Sequence, residues 1–597
     1  MVSLEDGVVT LEKEDGTQIE IELEKLSPAD RKIATEAAQD DADNPFKKKG
    51  DDPFKPKAKA KNDAKGKAGG KKANASDRGA APRQVKVDWS RAKKISLDTP
   101  SAWQVEIGAE TERAGFKPQS APLPNKSGFF EKIHGIAVNV NAKKAAVGFV
   151  LGEPKPTGTS RVVICDLTTG KTTPPAVDAS QMSPLALHDD GIQIVMRREE
   201  FGFGNLDRLE VWTVDGTEVS KSAIWTPYGD DQGAARDVLW AEFVDDATLA
   251  TSSREGKVVL WKFPEIEPLC TFVLANGAVP ALSPDRKLIA WSNGSNIGLF
   301  DVARREIIAR QQLPEKLQWP YLAFSPSGRK LACVATDKIL EWDVATGTLE
   351  RLIPAAGLSI HGGIDFPAEG FLLANGKYLV DLENQLKLWS YEGQDETRAA
   401  GGWTFFATSE GDKNPGSLVV AQLPHHGAME LLKKSLTDPN LFVVKAGTTV
   451  KLNVAGIPDQ SQQGMVRSAL VKQLAAIGCQ EGAAGSVELV AMVEGPKERT
   501  VSFHRAGDFK VQEYISRVRF VFQGATAWEK FSSSVPGVLM LKSGENVGSV
   551  LRDREKPNYS FFENVEFPKF VQKPAAGNGP GRSPTLGKSR VGTKGIQ

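Results

Sequence analysis

Apolar and polar positions recur in blocks from about residue 132 to residue 435. The clearest pair is Ser283-Pro284-Asp285-Arg286-Lys287-Leu288-Ile289-Ala290 and Ser325-Pro326-Ser327-Gly328-Arg329-Lys330-Leu331-Ala332, which stand 42 residues apart. Each follows an apolar strand end, at 279–282 and 321–324. Each leads to a strand that closes on an aromatic residue and an acid: Phe300-Asp301 in one block, Trp342-Asp343 in the other. A similar closing strand returns at 162–166, and again at strands that end on Trp212, Trp261 and Trp389. These closing positions are 39 to 49 residues apart, and Thr-Gly or Asp-Gly turns follow at 169–170, 215–216 and 346–347. Short strands at even spacing, punctuated by turns, predict a repeated sheet architecture.

A unit of about 40–45 residues with four strands and an apolar-Trp-Asp ending resembles the WD-repeat family. The resemblance implies a β-propeller and a role in binding other proteins. The chain departs from the family pattern in having no Gly-His at each repeat start. Six units are read at 132–172, 183–220, 236–274, 278–313, 319–355 and 361–393, and a seventh at 401–432. The expected fold is therefore mainly β: a seven-bladed propeller over 91–435 with a small module before it and an α+β domain after it. The strand Trp103-Gln104-Val105-Glu106-Ile107 is expected to complete the last blade and close the ring. Trp212, Trp261, Phe300, Trp342 and Trp389 are read as one blade position packed between neighbouring blades, with Asp301 and Asp343 just after it.

Residues 436–572 change character. Strands at 441–444 and 449–454 precede a stretch with apolar residues at 465, 466, 470, 471, 474 and 477, which is helical spacing, and Gly478 then stops it. Further strands are expected at 487–493, 499–503 and 518–522, and an aromatic segment at 558–568 is expected to cover the core. The Gly-, Pro- and base-rich tail from Lys573 to Gln597 predicts disorder.

At the other end, Val8-Val9-Thr10-Leu11, a turn at Asp15-Gly16, and Ile19, Ile21 and Leu23 alternating with glutamates predict a hairpin. Residues 6–30 resemble part of an SLA homology domain 1 (SHD), assigned here to 1–38. That resemblance implies binding of Asn-Pro-Phe-x-Asp peptides. The chain carries Asn44-Pro45-Phe46 just beyond, followed by Lys47-Lys48-Lys49 where such a ligand has an acid, and Asp52-Pro53-Phe54 after that. Pro45 fixes its φ, Asn44 can form a side-chain turn, and Phe46 offers an apolar anchor. Proteins of this kind often carry a signal peptide just before the domain. The expected location is cytoplasmic if Met1 is the true start, and exported or periplasmic if a leader lies upstream.

Charge sharpens this division. The chain has 597 residues and zero net charge, 75 bases against 75 acids. Yet residues 1–43 carry −9, residues 44–80 carry +8, and the tail from 573 carries five bases and no acid. The Lys-rich stretch within 39–90 cannot bury enough apolar area to fold and reads as a disordered linker. It has no interleaved aromatic platform beyond Phe54, so nucleic acid is disfavoured as a partner. Attraction to the acidic head implies self-association between head and linker, beside other proteins or peptides as partners. No apolar run is long enough to span a membrane.

No catalytic set, cofactor motif or metal site is evident. Gly581 to Ser589 resembles a phosphate loop but has one residue too many between its glycines and no strand before it. His425-His426 is the only histidine cluster, placed on a surface turn with no third ligand. A site in the central channel of the propeller, for a small ligand or a reaction, is the alternative to a non-enzymatic scaffold. Convergent carboxylates or histidines at one end of the channel would favour it.

Overall fold

The computed structural model describes residues 3–5, 8–12, 18–22 and most of 81–597. The longest stretches outside the described residues are 23–80, 106–114, 152–157, 200–205, 536–545 and 575–584. The chain divides into two units, Met1–Ser76 and Asp77–Gln597. In the first, strands Ser3–Glu5, Val8–Glu12 and Gln18–Glu22 form an antiparallel meander with Val9 opposite Ile21 and Leu11 opposite Ile19.

The second unit holds seven small sheets arranged as a β-propeller. Their inner strands are Glu131–Asn139, Met182–Leu187, Val238–Asp245, Ala281–Leu282, Tyr321–Phe324, Ile364–Ala368 and Glu396–Ala400. These define blades 1 to 7. Buried clusters lie between successive blades, as where Trp212 and Val214 of blade 2 meet Ala146 and Ile164 of blade 1. Burial of these clusters is the main stabilising term, at about 25 cal/mol per Å2 of apolar surface.

One irregularity repeats in register. Between the third and outer strands, the pairing shifts at Val211/Trp212, Leu260/Trp261, Leu299/Phe300 and Glu341/Trp342. Such a bulge re-aims the side chain beside it, and here that side chain is the closing aromatic, at most 1% exposed in all four blades. In blade 6 the same shift falls at Leu379/Val380. Trp389 therefore does not share the position of the other aromatics; it lies on the outer strand Leu386–Glu392. The acids that follow agree. Asp301, Asp343 and Asp381 each accept a backbone N–H three residues on and tighten the turn to the outer strand. Leu386-Lys387-Leu388-Trp389 imitates the closing pattern because the outer strand alternates with the same period.

The ring is closed by Ala121–Leu123, which pairs antiparallel with Gly416–Ala421 and serves as the outer strand of blade 7. The closing strand is therefore not the one expected from Trp103; of residues 103–107 only Trp103 and Val105 are described. Trp103 instead donates from its indole to the Val344 carbonyl of blade 5 and packs on Gly347, where an added Cβ would meet the ring at 2.4 Å. The chain before it is a belt. Arg83–Gln84 pairs parallel with the outer strand of blade 2, Lys93–Lys94 with that of blade 3, and Asp98 meets Arg310 of blade 4. Residues 81–90 thus belong to the propeller rather than to a disordered linker.

The tail is corrected in the same way. Gly587–Gly592 pairs parallel with the outer strand of blade 6, and Gly595–Ile596 folds back on it. Composition missed this because the strand gains its order from the edge it joins, not from its own apolar content. Gly587 lies directly over Trp389, and a Cβ there would stand 2.2 Å from the ring.

The α+β domain has sheet order Gln480–Glu481, Thr449–Gly456, Val487–Phe503, Gly507–Phe522, Ala525–Ser533. Helix Gln460–Ala476 links two parallel strands, capped by the Asp459 side chain and ended before Gly478, whose φ is +76°. Its buried face is Val466, Leu470 and Leu474. Phe562, Val565 and Phe567 of the aromatic segment enter the same core. The two strands expected at 487–493 and 499–503 are one strand, because Gly495-Pro496 is absorbed as a bulge.

Candidate functional site

The residues singled out by sequence do not converge on a site. Trp212 donates to Glu210 and Trp261 to Thr251 within their own blades. Phe300 and Trp342 are core, and Asp301 and Asp343 are turn formers. Asn44, Pro45 and Phe46 lie outside the described residues. His425 and His426 are not a metal pair. The His425 ring packs edge-on to Trp389 with Nδ1 2.9 Å from the Tyr391 hydroxyl, whereas His426 faces Glu430 one helical turn on. Among the described residues no three His, Cys, Asp or Glu side chains are grouped as metal ligands. The four cysteines are buried, which pushes the Cys165 and Cys333 thiols up to about 12.

What does converge is a set of charged side chains around the central channel, most of them on inner strands, with Arg197 and Glu199 from the second strand of blade 2 and its end. Period-two alternation puts Glu396 and Arg398 on one face of the inner strand of blade 7. Arg398 reaches across the ring to Glu242 on blade 3 and forms an ion pair with it. Asp365 of blade 6 stands in the field of Arg398; burial pushes its carboxyl up, and Arg398 opposes that shift. Nearer the rim, His134 of blade 1 sits 3.2 Å from Glu199 and 3.0 Å from Glu396. Hydrogen bonds to Glu199 and Glu396 lift its imidazole from 6.5 to about 9, so it is a cation at neutral pH. Burial would raise the Glu199 carboxyl; the His134 hydrogen bond and the Arg197 charge hold it down at about 2. Glu199 also accepts from Ser183 at 2.6 Å and from Arg197 at 2.7 Å. Each charge thus has an opposite neighbour, and the Arg398–Glu242 bridge joins opposite walls.

No family model matches the chain, and no curated protein is similar to it.

The rim differs from the channel. Antiparallel order places every connection from an outer strand to the next inner strand on one rim. Phe129 and Phe130, in the connection from blade 7 to blade 1, are 78% and 55% exposed with their rings T-shaped at 5.2 Å. Trp319, in the connection from blade 4 to blade 5, is 52% exposed. It rests on Gly277, where a Cβ would come within 2.5 Å of its ring, and its own φ is +49°. A strained Trp held half in water is costly unless it has a use. The same rim meets the α+β domain where Lys338 approaches Glu566 at 3.5 Å. Sequence reading missed both sets. Polar residues at alternate inner-strand positions were the signal for the channel, and aromatics in turn segments were the signal for the rim.

Proposed function

We propose that the protein is a non-enzymatic interaction scaffold whose propeller docks other proteins through the rim that carries Phe129, Phe130 and Trp319. A β-propeller is commonly such a scaffold, and exposed aromatics of this kind are the anchors that dominate protein interfaces. The observation that carries the reading is the contrast between paired charges within the channel and water-exposed aromatics on its rim. The resemblance to WD repeats supports it, as do the turns that Asp301, Asp343 and Asp381 make after the third strands of blades 4, 5 and 6. No helix among the described residues is long and apolar enough to cross a membrane. In the same reading the head is an SHD-like module for Asn-Pro-Phe peptides, with Asn44, Pro45 and Phe46 as its nearest ligand, in the same chain or a second one. A head of −9 beside a linker of +8 supports that pairing.

The test is partner capture by the full chain and by a Phe129→Ser, Phe130→Ser, Trp319→Ser variant of unchanged thermal stability. A defined set of proteins retained by the first and lost by the second supports the reading. Equal retention overturns it. The second reading, a small ligand or reaction in the channel, is favoured by one observation: Glu199 and Glu396 converge on His134 at one end.

A further inference from the structure

The edge of blade 6 is covered by a strand that comes from the far end of the chain. Trp389, Ser390, Tyr391 and Glu392 pair with Gly587, Lys588, Ser589 and Arg590 in parallel register. Three features select that strand. Only glycine fits opposite Trp389, since the nearest ring atom is 2.2 Å from a Cβ at 587. Four residues on, Val591 is 1% exposed and enters a cluster with Leu388, Tyr391 and Phe406. Beyond it, Glu410 accepts from both the backbone N–H and the hydroxyl of Thr593, at 3.2 and 3.0 Å. Parallel addition to an outer edge recurs, over two residues each, on blades 2 and 3.

Main-chain pairing for affinity and side-chain seats for selection are the elements of recognition by strand addition. We propose that the outer edge of blade 6 is a strand-accepting groove, selective for glycine facing Trp389, an aliphatic residue four positions on and a hydroxyl at Glu410, and that a second copy of this chain can supply its C-terminal segment in place of the resident one. This surface is distinct from the aromatic rim, so the two stand or fall separately.

The experiment uses the full chain with a protease site introduced between residues 575 and 584 and cut after folding. The released segment is expected to co-elute with the body and to exchange with a labelled peptide of residues 585–597. A peptide carrying Gly587→Leu is expected to compete at least tenfold less well. Loss of the segment without rebinding, retention with no exchange, or equal competition by the Leu peptide would each overturn the groove. Two differently tagged full chains, co-expressed, test the occupant. Co-purification that drops at least tenfold when both carry Gly587→Leu is expected. Separate purification of the wild-type chains at every concentration overturns the second copy as occupant.

Discussion

Arg398 and Glu242 join opposite walls of the channel, and His134 is shared between Glu199 and Glu396; on the rim above them Phe129, Phe130 and Trp319 face water. Both regions belong to one propeller, the first within its channel and the second on connections between its blades, yet they store free energy differently. Desolvated charges are costly alone and roughly neutral when matched, so the channel gains little from a newcomer and loses much from a deletion. Exposed aromatics cost little to remove and gain when covered. The difference separates residues that hold the ring together from residues that are free to act.

The first way to probe that separation lies outside both regions. Trp342→Ala should cost about 3–5 kcal/mol, because it empties a fully packed position between blades, and chemical denaturation measures it. The channel comes next. Arg398→Leu strands Glu242 and Asp365 near one another and should cost about 1–3 kcal/mol, below a fully buried pair because Arg398 is 40% exposed. A loss under about 0.5 kcal/mol would mean that water already screens the bridge.

pH gives a finer probe. The His134 imidazole is raised in the folded chain, so its contribution is complete below about 6.5 and is lost as pH rises through about 9. Glu199 runs the other way: lowered to about 2, it contributes above about 4.5 and is lost as pH falls toward 2. Thermal melts should therefore decline between pH 6.5 and 9, and His134→Gln should flatten that decline. The smallest effect is expected at the head. Phe46→Ala should leave stability within about 0.5 kcal/mol while weakening self-association that is itself screened above about 0.15 M salt. Scattering that does not change with salt would reduce the linker to a spacer.

Much of the ring was legible because each blade repeats a local pattern that its own neighbours bury. Trp342 is such a case. Trp389 carries the same local pattern and was misplaced, because a segment some 200 residues later covers it. Ala121–Leu123, Arg83–Gln84 and Gly587–Gly592 were missed for the same reason: their order comes from the edges they join. The channel was illegible at the level of pairs, since Arg398 and Glu242 are 156 residues apart and only ring closure brings them together. Helix Gln460–Ala476 was readable because its periodicity, its cap and its terminal glycine are all local.

The most direct test sets the two regions against each other in one capture measurement. Full chains carrying either the three rim substitutions or His134→Gln with Glu396→Gln are compared with the wild type for quantitative partner retention. The scaffold reading predicts loss with the rim variant and retention with the channel variant. Retention with the rim variant and loss with the channel variant would contradict it and move the function into the channel.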